Sequence, residues 1–262
     1  MNIIKIFSFL VLFHLVASIH IMFWNLRTFG EHRASDEIGK QLYQISSSHD
    51  ILLFAEIRDS DCNTNPKCPL SQFFTQHFPD YQLFLSPSLH YCSSGEHSGS
   101  EEYAILVRRI NNFNNLSMIH YEDKDCLFIR RPYGIRILMN GMYYNILLFH
   151  SNPNNEKELI ALADVFHQFG DQRTILMGDL NTGCHYVSFE KLNAYEIRRN
   201  YDWLLSEQSF TNVEQTCPYD RVISTKDMTS RISHQRVLNQ NNEAHRILSD
   251  HYPIAIDLQL GS

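Results

Sequence analysis

The chain has 262 residues, 44% of them hydrophobic and 19% charged, which supplies a large core for one ordinary domain and excludes a disordered protein. A formal charge of −7 excludes a packager of nucleic acid that works through a global basic field; affinity for a polyanion would need a local arginine cluster or a bridging metal. An enzyme that must release its product is not excluded.

Residues 1–18 differ in character from the rest of the chain. Lys5 precedes the apolar run Ile6 to Val16, and Val16-Ala17-Ser18 places small residues where a signal peptidase would cut. The run is short for a bilayer span, and polar, strand-like sequence comes directly after it. A secretory signal peptide over 1–18 and a single domain over 19–262 are therefore predicted.

Strands are predicted at His20–Leu26, Asp50–Ile57, Tyr103–Val107, Ile135–Met139, Tyr143–His150, Arg173–Asp179, Arg221–Ser224 and Tyr252–Leu258. Asn140-Gly141 between two of them reads as a hairpin turn of the primed type. Helical spacing appears at Ile38, Leu42 and Ile45, and again at Leu159, Leu162, Ala163 and Phe166, giving one apolar face each. With no repeat, linker or low-complexity tract, these elements predict an α/β fold. The expected form is a four-layer α-β-β-α sandwich of two packed mixed sheets flanked by helices.

All six cysteines fall after residue 18, an even number suited to disulfides in an oxidising compartment. No pair has zinc-like spacing and no histidine cluster accompanies them. Cys62 with Cys68 would staple a local loop, which leaves Cys92 and Cys126, and the pairing of these four stays open. One glycosylation sequon, Asn115-Leu116-Ser117, lies between strand-like runs and is predicted in a surface turn.

Polar residues gather at the strand ends. Asn25 and Arg27 end the first, Glu56 and Arg58 the second, and Glu101 precedes the third. His150, then Asp179 with Asn181, close two more, and Asp220 and Asp250-His251 introduce the last two. Each alone could serve a turn or cap. One set per strand end, with two histidines and several carboxylates, points instead to a shared site, and Asp179 and Asn181 offer oxygen ligands to a hard cation or a phosphate centre.

These blocks resemble the DNase I family within the endonuclease/exonuclease/phosphatase superfamily. The resemblance is carried by Trp24-Asn25-Leu26-Arg27-Thr28-Phe29-Gly30-Glu31, Glu56-Ile57-Arg58-Asp59-Ser60, Glu101-Glu102-Tyr103 and His150-Ser151. It continues through Met177-Gly178-Asp179-Leu180-Asn181-Thr182-Gly183-Cys184, Cys217-Pro218-Tyr219-Asp220-Arg221 and Ser249-Asp250-His251-Tyr252-Pro253, in family order across the chain. It implies a secreted, monomeric endonuclease that hydrolyses double-stranded DNA to 5′-phosphate ends with low sequence specificity. Under it His150 and His251 form the acid/base pair, oriented by Glu101 and Asp220, and Cys184 pairs with Cys217, a closure worth ~3–4 kcal/mol in the chain-entropy model. Asn25, Glu56, Asp179 and Asp250 would hold Mg2+ or Mn2+, while Arg27, Arg58, Arg130, Asn181 and Tyr219 would hold phosphate and substrate.

Several positions depart from the family pattern. Gly99 stands where relatives carry a groove-stacking Tyr. Ser209, Thr211, Val213 and Gln215 offer few hard ligands where relatives bind a structural Ca2+, and Glu122-Asp123-Lys124-Asp125 is a shortened acidic loop that could still take one. Tyr91-Cys92-Ser93-Ser94 replaces the apolar stretch through which some relatives bind actin, so actin binding is not expected. Stable membrane association is not expected either. Two alternatives compete: a phosphodiesterase of the same fold on another substrate, sphingomyelinase-like, whose marker would be an apolar membrane-contact hairpin, and a non-catalytic secreted binding protein.

Overall fold

The computed structural model describes residues 18–58, 68–89, 101–111, 113–153, 155–169, 173–214, 217–239 and 243–259. Residues 1–17 of the predicted signal peptide, Gly99, Gln215 and the segment 91–94 lie outside them, while Ser18 already belongs to the first strand. One six-stranded sheet contains β1 (Ser18–Gly30), β2 (Ile51–Arg58), β3 (Tyr81–Leu85), β4 (Glu102–Arg108), β11 (Ile232–Val237) and β12 (Ile254–Gln259), in the order β11-β12-β1-β2-β4-β3. The other contains β5 (Asn114–His120), β6 (Tyr133–Met139), β7 (Met142–His150), β8 (Thr174–Asp179), β9 (Asp202–Trp203) and β10 (Asp220–Ser224), in the order β5-β6-β7-β8-β10-β9. Helices α1 (Asp36–Ser46), α2 (Pro69–His77), α3 (Glu156–Gln168), α4 (Phe189–Leu192), α5 (Glu196–Asn200), α6 (Lys226–Thr229) and α7 (Glu243–Leu248) complete the chain.

Both sheets are built alike. In each, the two middle strands are parallel, β1 with β2 and β7 with β8, and every other pairing is antiparallel. Each parallel pair is joined through a helix, α1 and α3 respectively, as a parallel crossover requires.

The middle strands are apolar on both faces because both are covered. Ile21, Phe23, Leu53 and Ile105 of the first sheet meet Ile146, Leu148, Ile175 and Met177 of the second across the inner core. The alternate residues Met22, Trp24, Leu52 and Phe54 pack outward against Leu42 of α1 and Phe74 of α2. Leu147, Phe149 and Leu176 do the same against Leu159, Leu162 and Phe166 of α3. The predicted four-layer sandwich is the one observed. Gly178 allows the parallel pair to close: a β-carbon there would lie 1.8 Å from the carbonyl oxygen of Phe149.

Asn140 and Gly141 form the expected primed hairpin, with φ of 50° and 74° between Met139 and Met142. Asn115 is exposed, as a glycan acceptor must be, but it lies at a register irregularity of the edge strand β5 rather than in a turn. α1 begins on a Ser35 cap that accepts from the Ile38 amide, and the Cys68 sulfur accepts from Ser71 at the start of α2. No helix among the described residues is long and apolar enough to cross a membrane.

Candidate active site

Both parallel pairs deliver their last residues to one end of the sandwich. There β1 breaks register against β2 between Asn25 and Phe29, with Arg27 and Thr28 at φ of 48° and 49°. β2 breaks register against β4 between Phe54 and Ile57, with Glu56 at φ 59°, and Asn181 beyond β8 sits at φ 47°. Left-handed backbone costs a non-glycine residue on the order of 1–3 kcal/mol and survives where the surroundings hold a side chain in a required direction. Here these breaks border one cleft.

That cleft, of ≈ 280 Å³, is lined by Glu56, Arg130, His150, Asp179, Asn181, Tyr219, Asp250 and His251, with Pro153, Tyr186, Asn212 and Glu214. Two carboxylate–imidazole pairs form its floor. His150 Nδ1 lies 2.6 Å from Glu101 Oε1, and the other Glu101 oxygen accepts from Arg130 Nε at 2.6 Å. His251 Nδ1 lies 2.8 Å from Asp220 Oδ2. The far nitrogens of both rings face a single atom, Asp179 Oδ2, from 3.8 Å and 3.6 Å. Asn25 donates through Nδ2 to Asp179 Oδ2 and to Glu56 Oε1, both at 3.0 Å, and so ties the two sheets together at their ends.

The electrostatics follow from burial and partner. Burial opposes the charge on Glu101, but His150 and then Arg130 outweigh it and hold the carboxyl down at about 2. Burial likewise opposes protonation of His150, and Glu101 with help from Asp179 raises it above the ordinary value. His251 is raised to about 10, because Asp220, Asp179 and Asp250 together overcome its burial. Burial raises Asp220, which is hydrogen-bonded to no guanidinium among the described residues, so this second pair holds its proton jointly. Asp220 Oδ1 is buried with no hydrogen-bond partner.

Other predicted residues fall in place around this floor. The Asn181 side chain donates to the Ser151 carbonyl at 3.0 Å, and its amide donates to Asp179 Oδ1 at 3.0 Å. The Tyr219 ring lies tilted against Tyr186 at 5.2 Å and against the His251 ring at 6.1 Å. Asp250 lines the cleft but faces Arg27 Nε at 3.6 Å. Arg58 is exposed and is not among the residues lining the cleft, whereas Arg130 lines it while paired with Glu101. Cys184 and Cys217 are joined, Cα to Cα 6.0 Å, so the loop after β8 is tied to the entry of β10. Cys68 and Cys126 are also disulfide-bonded; Cys62 and Cys92 lie outside the described residues.

Several supporting residues had no role assigned from sequence. The Tyr103 hydroxyl accepts from the His150 amide at 2.8 Å, and the Thr211 hydroxyl accepts from the Asp220 amide at 2.9 Å. Ser249 donates to the Asn25 carbonyl at 2.6 Å and accepts from the His251 amide at 3.0 Å. Glu158 is buried on α3, where its oxygens accept from Ile129 and Asn152 at 2.7 Å and 2.6 Å; a carboxylate on an otherwise apolar helix face was the available signal. Arg221 is buried with its guanidinium over Phe189 at 4.7 Å, donating to Thr182 and to the Ser206 carbonyl. Asp123 spends both oxygens on the Leu127 and Phe128 amides, at 2.8 Å and 2.9 Å, so the shortened acidic loop uses it as a turn cap.

No protein-family model matches the chain. Deoxyribonuclease-1 of horse is 29% identical over 94% of each chain, and that of chicken 24% identical over 98% of each. Among solved structures, an endonuclease/exonuclease/phosphatase family protein from Leptotrichia buccalis superposes with a TM-score of 0.67 at 16% identity, covering 92% of this chain and all of the other. The endonuclease domain of the TRAS1 retrotransposon superposes with a TM-score of 0.63 at 16% identity, covering 94% of this chain and all of that domain. Over nearly its whole length the chain is thus homologous to these deoxyribonucleases, and it shares the fold of the endonuclease/exonuclease/phosphatase structures.

Proposed function

We propose that this protein is a divalent-metal-dependent endonuclease that hydrolyses double-stranded DNA with little sequence preference and leaves 5′-phosphate ends. The observation that carries the reading is the convergence of two buried carboxylate–imidazole pairs on Asp179 Oδ2. A phosphodiester seated there would have one imidazole on each side, one to take a proton from water and one to give a proton to the departing 3′ oxygen. Glu101 and Asp220 fix the tautomers through Nδ1 and leave each Nε2 facing the reacting group. Asn181 and Tyr219 line the same space and would position the phosphate.

The donor set suits Mg2+ or Mn2+. Glu56 and Asp179 present hard oxygens bridged by Asn25, Asp250 stands on the same wall, and Asp220 keeps an unpartnered buried oxygen. Glu56 and Asp179 would be the principal ligands; Asn25 now shows them its amide nitrogen and would have to turn its oxygen inward to join them. Bound there, the cation supplies charge neutralisation and polarisation of the phosphoryl oxygens.

Export fits the same reading. It is supported by Lys5 with the apolar run ahead of Val16-Ala17-Ser18 and by a disulfide beside the site, which belongs to an oxidising compartment. Incubating the purified chain with supercoiled plasmid and Mg2+, beside His150→Ala, tests the activity. Nicking by the parent alone, with 5′ ends that a phosphatase must open before they can be relabelled, is the expected result. Equal inertness of the two proteins on DNA would overturn the reading, and a parallel assay on sphingomyelin would identify the competing chemistry.

A further inference from the structure

The reaction cleft does not stop at Asp250. Asp250 and Glu214 also line a neighbouring cavity of ≈ 400 Å³, whose other walls are Arg27, Val213, Arg246 and Ser249. The two spaces share a rim. Arg246 lies outside every motif that carries the family resemblance, is exposed on α7, and forms no hydrogen bond or ion pair among the described residues. Arg27 is more than half exposed, and among the described residues its guanidinium pairs with Asp250 alone, at 3.6 Å.

The spacing between these two cations is held by a third. Arg33 is half-buried and stacks on Phe29, while its guanidinium donates to the carbonyls of Leu26 and Arg27 on one side. On the other side it donates to Leu248 at 2.6 Å and Ile247 at 3.5 Å. One rigid fork thus locks the β1 turn that bears Arg27 to the helix end that bears Arg246. Glu214 and Asp250 on the rim would repel a free anion. A strand already anchored by one phosphate at the reaction centre faces a smaller penalty and gains two guanidinium contacts.

We infer that this second cavity is a subsite for a DNA backbone phosphate flanking the scissile one, gripped by Arg246 together with Arg27, with Arg33 as the positioning residue that sets their separation. The inference rests on the nuclease reading above. It is tested by binding a short fluorescent duplex to the His150→Ala protein across a KCl series. Adding Arg246→Ala should weaken binding about 3- to 10-fold and lower the slope of log Kd against log salt by about 0.9, the loss of one phosphate contact. Arg246→Lys should keep the slope, and Arg109→Ala, an exposed cation lining neither cavity, should change neither quantity. Arg33→Lys should weaken binding by roughly threefold with the slope kept, because it orders the arginines without touching phosphate. An unchanged slope for Arg246→Ala, in a protein whose His150 form nicks plasmid, overturns the subsite and leaves the nuclease reading standing. A parent that neither binds duplex nor nicks plasmid overturns both.

Discussion

The two carboxylate–imidazole pairs look alike in outline and differ in their backing. Glu101 is clamped between His150 and Arg130, so three groups share two charges of one sign and one of the other, and the carboxylate stays ionised down to about 2. Asp220 has His251 as its one salt-bridge partner among the described residues, a threonine hydroxyl on its backbone amide, and one oxygen without a hydrogen-bond partner. The first pair is fixed by a permanent cation, while the second leaves its balance to whatever positive charge enters the cleft. The same kind of dyad can therefore be tuned by the protein in one case and by an entering cation in the other.

The largest expected effect treats the pairs as equals. His150→Ala and His251→Ala should each lower kcat on plasmid about 10²- to 10⁴-fold, with the double variant little worse than the weaker single one, since the residues act as a unit. Fully multiplicative losses in single-turnover assays would show that the two rings work independently.

Removing the carboxylates should separate them. Glu101→Gln strands the mostly buried Arg130 as well as His150 and should cost about 3–5 kcal/mol in urea unfolding, whereas Asp220→Asn strands no arginine and lets His251 shed its proton, so it should cost less, about 2–3 kcal/mol. Equal losses would mean that Arg130 is satisfied elsewhere.

The smallest effect is in the pH dependence of stability, read in the presence of a chelator. Glu101 has a folded value of about 2 against an ordinary 4.5, so its contribution is complete above 4.5 and is lost as pH falls toward 2. His251 is raised from 6.5 to about 10, so its contribution is complete below 6.5 and is lost as pH rises through 10. Glu101→Gln should flatten the acid limb alone and His251→Gln the alkaline limb. Thermal midpoints that ignore these substitutions would contradict the assignment.

What the sequence made legible divides along the sheets. All eight predicted strands are present, and the four it passed over, β3, β5, β9 and β11, are the outermost strands of the two sheets. The reason is physical. Middle strands are covered on both faces and must be apolar throughout, while Ser233, His234 and Gln235 of β11 or Asn115 and Ser117 of β5 sit where one side meets water. α2 is likewise hard to read, because Leu70, Phe73 and Phe74 form a short buried face after Pro69. The cleft was legible because its residues recur at strand ends, a position readable without coordinates. Tyr103, Thr211 and Ser249 were not, because they act on backbone amides or carbonyls that only the folded chain brings beside them.

The bridge made by Asn25 carries one further consequence. Its single amide spans Glu56 on one sheet and Asp179 on the other, and the two imidazoles come from opposite sides of the same seam, His150 with the second sheet and His251 beside the first. The chemistry is therefore assembled from two halves that pack on each other across the inner core and are cross-linked at the cleft by Asn25 and the two carboxylate–imidazole pairs. Leu148, Met177, Phe23 and Leu53 set the distance over which those halves are matched. A slip of about 1 Å between them is enough to cost on the order of 10²-fold in rate. Nuclease activity thus serves as a gauge of how the two sheets are seated, more sensitive to a loosened core than the content of strand and helix would be.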